Sequence, residues 1–265
     1  MSIDLNCDVD GPPDAPVVLF VHGILTCRAH WLLNLPVFQK RFRTVVVELL
    51  GHGRSPAPED PALYHPDRYA ERFSTLRESL GVERWLVVGQ SLGAALTLNY
   101  AIEHPDEVIA HVVTNSHSAF GDPGRIGNRA SARERAHQLI DGGIEAVMQH
   151  PLNPGRARAF SPKQRERFRA DMRHSTPAGI ARTMLHTSPY TPLRDRLPHN
   201  PVSTLLVSGD REQAFDPARE WVEAHAANFR VERVSATHAV NISAADEFNR
   251  RALAFLEEHL PTITR

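Results

Sequence analysis

Three residue types that together perform acyl transfer occur in a useful order along this chain: a serine, then carboxylates, then a histidine. Ser91 lies in Gly89-Gln90-Ser91-Leu92-Gly93, a G-x-S-x-G stretch that follows Trp85-Leu86-Val87-Val88 and precedes Ala94-Ala95-Leu96. A serine on a sharp strand-to-helix turn projects its hydroxyl above a sheet, at the positive end of the following helix. The Leu92 backbone N–H then points to where an oxyanion would form. A serine is nucleophilic at neutral pH only beside a base. His238, in Ala236-Thr237-His238-Ala239-Val240-Asn241, is the candidate among 15 histidines because of its place between the last strand signal and the final helix. The base needs an orienting carboxylate, and the segment Ser208 to Pro217 offers Asp210, Glu212 and Asp216. Residue chemistry alone leaves that choice open.

Two glycine-bearing loops complete the set. Val21-His22-Gly23-Ile24-Leu25 follows a strong strand signal. The loop after this strand is expected to donate a second oxyanion N–H, from Ile24, with His22 and Gly23 in a supporting role. Gly51-His52-Gly53-Arg54-Ser55 fits neither the P-loop nor G-x-G-x-x-G and reads as a tight turn. There is no paired-cysteine or H-E-x-x-H arrangement, so neither a metal nor another cofactor is expected.

These residues require a scaffold that presents loops at one sheet edge. Strand signals run over 17–21, 44–47, 85–88, 109–114, 204–207 and 230–234. Most are apolar on both faces and alternate with helical patterns over 29–40, 66–80, 91–103, 217–226 and 244–260, which predicts an α/β fold with a mostly parallel, doubly covered sheet. The stretch 121–200 breaks the rhythm. It is rich in proline, lacks strand signals and holds 14 Lys+Arg against 7 Asp+Glu. It reads as a helical insertion, or cap, between two parts of a core domain, 1–120 and 201–265. Its positive balance suits either a solvated surface or the steering of an anionic substrate.

The bulk numbers set outer bounds. The chain has 265 residues, 42% of them hydrophobic, and a formal net charge of -1. A sizeable core is affordable in length, and no global charge draws the chain to nucleic acid or anionic membrane. Two cysteines, Cys7 and Cys27, make no disulfide framework, and the first residues lack the apolar run of a secretory signal, so a cytoplasmic protein is expected. Oligomeric state is not readable.

Taken together, the residues resemble the α/β-hydrolase superfamily. The resemblance rests on Val21-His22-Gly23 with Trp31 downstream, Gly51 to Ser55, Gly89 to Gly93, Gly209-Asp210-Arg211-Glu212, and His238 followed by Phe248-Asn249. It implies an eight-stranded, mostly parallel sheet with a helical cap, the first strand being weak or missing here. Within the superfamily the chain is similar to the compact capped group of 3-oxoadipate enol-lactonases, carbon–carbon bond hydrolases and small esterases. Serine at position 91 sets it apart from the haloalkane dehalogenases and epoxide hydrolases, which carry aspartate there. In these relatives an aspartate stands three residues after the strand-end glycine. Here Glu212 holds that spacing, with a carboxylate displaced by about one bond length, ~1.5 Å, and Asp210 is the alternative. The implied activity is hydrolysis of a small-molecule ester, lactone or related carbonyl through an acyl-enzyme. Carbon–carbon bond hydrolysis, non-hydrolytic acyl transfer or cyclisation, and plain ligand binding are the alternatives.

Overall fold

The structure is a computed structural model that describes residues 4–122 and 129–260. Residues 1–3 of the expected signal-free N-terminus and residues 123–128 of the expected insertion lie outside the described residues.

Seven strands form one sheet in the order β1-β3-β2-β4-β5-β6-β7. They are β1 Cys7–Asp10, β2 Val17–Val21, β3 Arg43–Val47, β4 Trp85–Gly89, β5 Val108–Thr114, β6 Thr204–Gly209 and β7 Phe229–Val234. Strands β2 to β7 pair in parallel, and β1 runs antiparallel to β3 at the edge. The central strands are apolar throughout because helices cover both faces: Leu19 and Val21 pack with Tyr69, Phe73 and Leu96, while Val18 and Phe20 pack with Trp31 and Phe248. Strand β1, absent from the strand signals, is an edge strand with three exposed residues, so no apolar pattern announced it. The described residues thus hold seven strands rather than the eight that the resemblance implies.

Among the helices, α1 spans Leu35–Phe38, α2 Pro66–Ser79 and α3 Leu92–Glu103. The single helix expected over 29–40 is instead a 3-10 turn, Arg28–Trp31, and the one-turn α1. Pro36 has no N–H to continue the ladder, and the Asn34 side chain bonds across to Asn241 and Asn249. Between β5 and β6 lie α4 His117–Phe120, α5 Arg129–Gln149, α6 Pro162–Met172 and α7 Pro177–His186. After β6 come α8 Asp216–His225, α9 Val240–Ser243 and α10 Ala245–Glu258. No helix among the described residues is long and apolar enough to cross a membrane.

Two of the contacts that fix the helices between β5 and β6 to the rest of the chain lie at the loops after β2 and β3. Leu139, Phe168, Met172 and Ile180 share an apolar cluster with Leu25 and Cys27 of the loop after β2. The turn at Gly51 meets the start of α7: Thr176 N donates to Gly51 O at 2.9 Å, and Gly53 N donates to Ser175 Oγ at 2.8 Å. A Cβ on Gly51 would lie 2.5 Å from Gly179 Cα, so the two backbones touch where neither residue has a side chain. The Gly51–Ser55 stretch is therefore a docking turn for this segment, in line with its reading as a turn.

Candidate active site

Strand β4 ends at Gly89 and α3 begins at Leu92, leaving Gln90 and Ser91 to make the whole reversal. Ser91 takes φ 53°, ψ -114°, a conformation that costs a residue with a Cβ roughly 1–3 kcal/mol. The surroundings hold it there. Ser116 Oγ donates to Ser91 O at 2.7 Å, and Gln90 N donates to Val21 O at 3.0 Å. A Cβ on Gly93 would stand 2.2 Å from Val21 O, and one on Gly23 would stand 2.4 Å from Gln90 Oε1. At Gly93 the clash is with backbone, so only glycine lets α3 close on the loop after β2; at Gly23 a side chain would displace the Gln90 amide and press on Ser91.

The Ser91 hydroxyl lies 2.9 Å from His238 Nε2. On the other side of the ring, Nδ1 lies 2.9 Å from Glu212 Oε1 and 3.1 Å from Oε2. A carboxylate can only accept, so Nδ1 carries the proton towards Glu212 and Nε2 is left to accept from the serine. The three carboxylates that the sequence left open are now separated. Asp216 is ion-paired with Arg219 at 2.6 Å. Asp210 is exposed and its side chain makes no hydrogen bond with His238 among the described residues. Glu212 alone of the three reaches the imidazole.

Glu212 has two further partners that sequence reasoning missed. Asn115 Nδ2 donates to Oε2 at 2.8 Å, and His117 Nε2 lies 3.1 Å from Oε1. Asn115 also bridges to Gly209 N and O, which ties the end of β5 to the end of β6 beneath the carboxylate. The His117 ring stacks beside His238, 6.3 Å between centroids and 19° between planes. Burial raises the Glu212 pKa, but the hydrogen bonds from His117, His238 and Asn115 outweigh it and hold the carboxyl well below the usual carboxylate range. The signal for these residues was positional: Asn115-Ser116-His117 follows a strand at the same sheet edge as Ser91 and Glu212.

The loops on either side are clamped by two buried histidines in a reciprocal arrangement. His22 Nδ1 donates to Gly23 O at 2.7 Å, and its Nε2 accepts from Leu49 N at 3.1 Å, in the loop after β3. His52, from that second loop, donates to Leu50 O and accepts from Leu25 N at 3.2 Å, back in the first. Each ring must be neutral to accept. Burial lowers the His22 pKa well below its ordinary value, helped by the nearby His52, and burial lowers His52 to about 4. Leu25 takes φ 62° in this grip. The neighbouring Ile24 N–H, like that of Leu92, bonds to no other described residue. His52, which the sequence placed only in a tight turn, is thus as much a part of the loop clamp as His22.

A cavity of about 650 Å³ opens against His238, between residues 151–159 and residues 237–243.

The sequence matches the family model for the alpha/beta hydrolase fold over residues 16–245. A relative in Bacillus subtilis (strain 168), provisionally named 2-succinyl-6-hydroxy-2,4-cyclohexadiene-1-carboxylate synthase, is 23% identical over 255 residues, 93% of this chain and 92% of that protein. The carboxylesterase YbfK of the same organism is 32% identical over 110 residues, which is 42% of this chain and 37% of that protein. Among solved structures, MenH from S. aureus superposes with a TM-score of 0.83 at 19% identity, covering 96% of this chain and 98% of that one. The enol-lactonase from Burkholderia xenovorans LB400 gives 0.79 at 23% identity, covering 96% of each chain. At such identities the structural likeness concerns the fold.

Proposed function

The chain belongs to the α/β-hydrolase fold family, and from that premise we propose that it is a serine hydrolase cleaving a carboxylic ester or lactone through an acyl-enzyme. The observation that carries this reading is the unbroken hydrogen-bonded line from the strained Ser91 through His238 to Glu212. The Ser91 Oγ attacks the carbonyl carbon as its proton passes to His238 Nε2. The charge that develops on the carbonyl oxygen is met by the Ile24 and Leu92 backbone N–H groups, each worth about 3 kcal/mol in comparable sites. The imidazolium gives its proton to the leaving oxygen as the C–O bond breaks. Water then attacks the acyl carbon as its proton passes to His238, and the acid is released when the bond to Ser91 Oγ breaks and His238 returns that proton to the serine.

Glu212 holds the imidazole in the productive tautomer and balances the imidazolium charge, staying ionised because its own partners depress its pKa. The helical segment between β5 and β6 serves as a lid that shapes the substrate space, supported by its packing on the loop that carries Ile24. Purified protein is expected to hydrolyse p-nitrophenyl acetate, and the Ser91→Ala variant is expected to lose that activity. Unchanged turnover in the variant contradicts the proposal.

A second reading has one specific observation in its favour. The relative matched over 92% of its own length is named as a synthase rather than an esterase. In that reading the same three residues catalyse carbon–carbon cleavage or a non-hydrolytic step such as acyl transfer or cyclisation. Simple esters are then poor substrates although a fluorophosphonate still labels Ser91. A protein that only binds ligands would resist the label as well.

A further inference from the structure

The cavity beside His238 gathers several cations and no carboxylate on its walls. Three arginines line it, Arg156, Arg158 and Arg211, and no aspartate or glutamate does. Arg156 donates to Gln149 O and Arg211 to Ser235 O, both backbone carbonyls, and among the described residues none of the three has a carboxylate partner. A second cavity, at the edge of β1 and β3, shows the ordinary alternative. Its Arg28 and Arg167 are accompanied by Asp8, Asp10 and Asp171, with Arg28 paired to Asp8 at 2.6 Å and to Asp171 at 3.3 Å. That cavity is neutralised by its own walls; the cavity at His238 is not. Glu212, next to Arg211 in the chain, turns away to His238, His117 and Asn115.

The remaining lining is apolar. Leu152 is 49% exposed, a large side chain left open to solvent, and Ile242, Ala239 and Pro154 continue the wall. Apolar walls together with arginines that have no carboxylate partner among the described residues suit a ligand with an apolar body and an anionic end. The cavity is lined by His238 and not by Ser91, Ile24 or Leu92, which bears on which end of the substrate it meets. The leaving oxygen must come within hydrogen-bond reach of His238 Nε2 to collect its proton. A cavity walled by His238 therefore borders the path of the leaving group.

We propose that this cavity receives the leaving group of the substrate, and that this group is an apolar body bearing a carboxylate or phosphate that Arg156, Arg158 and Arg211 bind. The inference rests on the reading of Ser91, His238 and Glu212 as hydrolytic machinery. In the step concerned, the bond from Ser91 Oγ to the acyl carbon forms and the bond from that carbon to the leaving oxygen breaks. The His238 proton goes to that oxygen, and the anion stays on the departing alcohol.

The test pairs a binding arm with a turnover arm. Calorimetric titration of the whole protein with 4-hydroxybenzoate, phenyl phosphate and the neutral 4-hydroxybenzamide reads the cavity without requiring catalysis. The ratio of kcat/KM for 4-acetoxybenzoate over 4-acetoxybenzamide reads the same preference during hydrolysis and cancels any general loss of activity. Wild type is expected to favour at least one anion by on the order of tenfold, and the preference should shrink as ionic strength rises. The Arg156→Gln/Arg158→Gln variant should bring both ratios towards one, and the Arg156→Lys/Arg158→Lys variant should keep part of the preference. Equal binding and equal turnover of the charged and neutral members in wild type overturns the proposal, as does a preference that survives the double glutamine variant. If neither acetyl ester is turned over and a fluorophosphonate does not label Ser91, the hydrolytic reading fails; anion binding that the glutamine variant abolishes would still establish the site.

Discussion

The sheet-edge loops and the helical segment between β5 and β6 handle polar side chains in opposite ways. At the sheet edge each functional group is held from several directions: Ser91 by Ser116 and two close glycines, Glu212 by Asn115, His117 and His238, and the loop after β2 by two buried histidines. In the helical segment, Arg156 and Arg158 line a solvent-open cavity, and among the described residues neither has a carboxylate partner. Groups that must meet a transition state within tenths of an ångström need rigid partners, because misplacement costs rate steeply. Groups that recognise a ligand are worth most when the protein has not already neutralised them. On the proposed function, the contrast separates a part built for chemistry from a part built for choice of substrate.

The largest expected break in that contrast is at Glu212. The Glu212→Gln variant keeps the size of the side chain but no longer enforces the tautomer, and kcat on an activated ester is expected to fall by about 10⁴-fold. Asp210→Asn, at the exposed carboxylate two residues earlier, is expected to change kcat less than about twofold, within the ordinary range for a surface substitution. Steady-state kinetics on the two variants decide between the carboxylates, and the reverse order would move the acid to Asp210.

A smaller effect is expected at His117, which acts through Glu212. Removing it leaves the carboxylate with one bond fewer, and His117→Ala is expected to lower kcat by about tenfold, the value of one charge-assisted hydrogen bond. KM should change little, and His117→Gln, whose amide can still donate, should recover most of the rate. A loss confined to KM would make His117 a substrate contact instead.

The loop clamp sharpens the contrast through pH. Burial lowers His52 of the clamp to about 4, and it lowers two further buried histidines outside the clamp, His30 beside Asn241 and His111 on β5 beside Thr97, to about 3. The unfolded chain binds these protons near pH 6.5, whereas the folded chain does not. Their contribution to stability is therefore complete above pH 6.5 and is lost as pH falls towards 4 and 3. Each group then destabilises the fold by up to about 1.4 kcal/mol per pH unit. Urea midpoints should drop steadily from pH 6.5 to 4.5. A flat profile over that interval would mean that these histidines are protonated in the folded protein.

How much of this was legible in the sequence depends on how local each feature is. Five of the six parallel strands carry their own signature, since a strand buried on both faces has to be apolar throughout, as Leu205, Leu206 and Val207 are, whereas edge strand β7, Phe229–Val234, is half exposed and gives a weaker signal. The elbow is equally local, with Gly89, Ser91 and Gly93 within five residues. Edge strand β1 shows no such pattern, and the break of the 29–40 helix depends on Asn34 bonding to Asn241 and Asn249 more than two hundred residues away. The choice among Asp210, Glu212 and Asp216 stayed open for the same reason. All three lie within seven residues, and what separates them is His238, His117 and Asn115, which only the fold brings to Glu212, besides Arg219, three residues along the chain, which pairs with Asp216. The cavity at His238 is the extreme case, because its walls come from three separate stretches of chain.

The central claim is that Ser91 is a nucleophile activated by its hydrogen-bonded partners. Reaction with a fluorophosphonate followed by peptide mass mapping tests it most directly. One covalent adduct on Ser91 is expected in the wild type, none in Ser91→Ala, and one that forms much more slowly in Glu212→Gln. A folded wild-type protein that stays unlabelled, or an adduct on any other residue, would contradict the account.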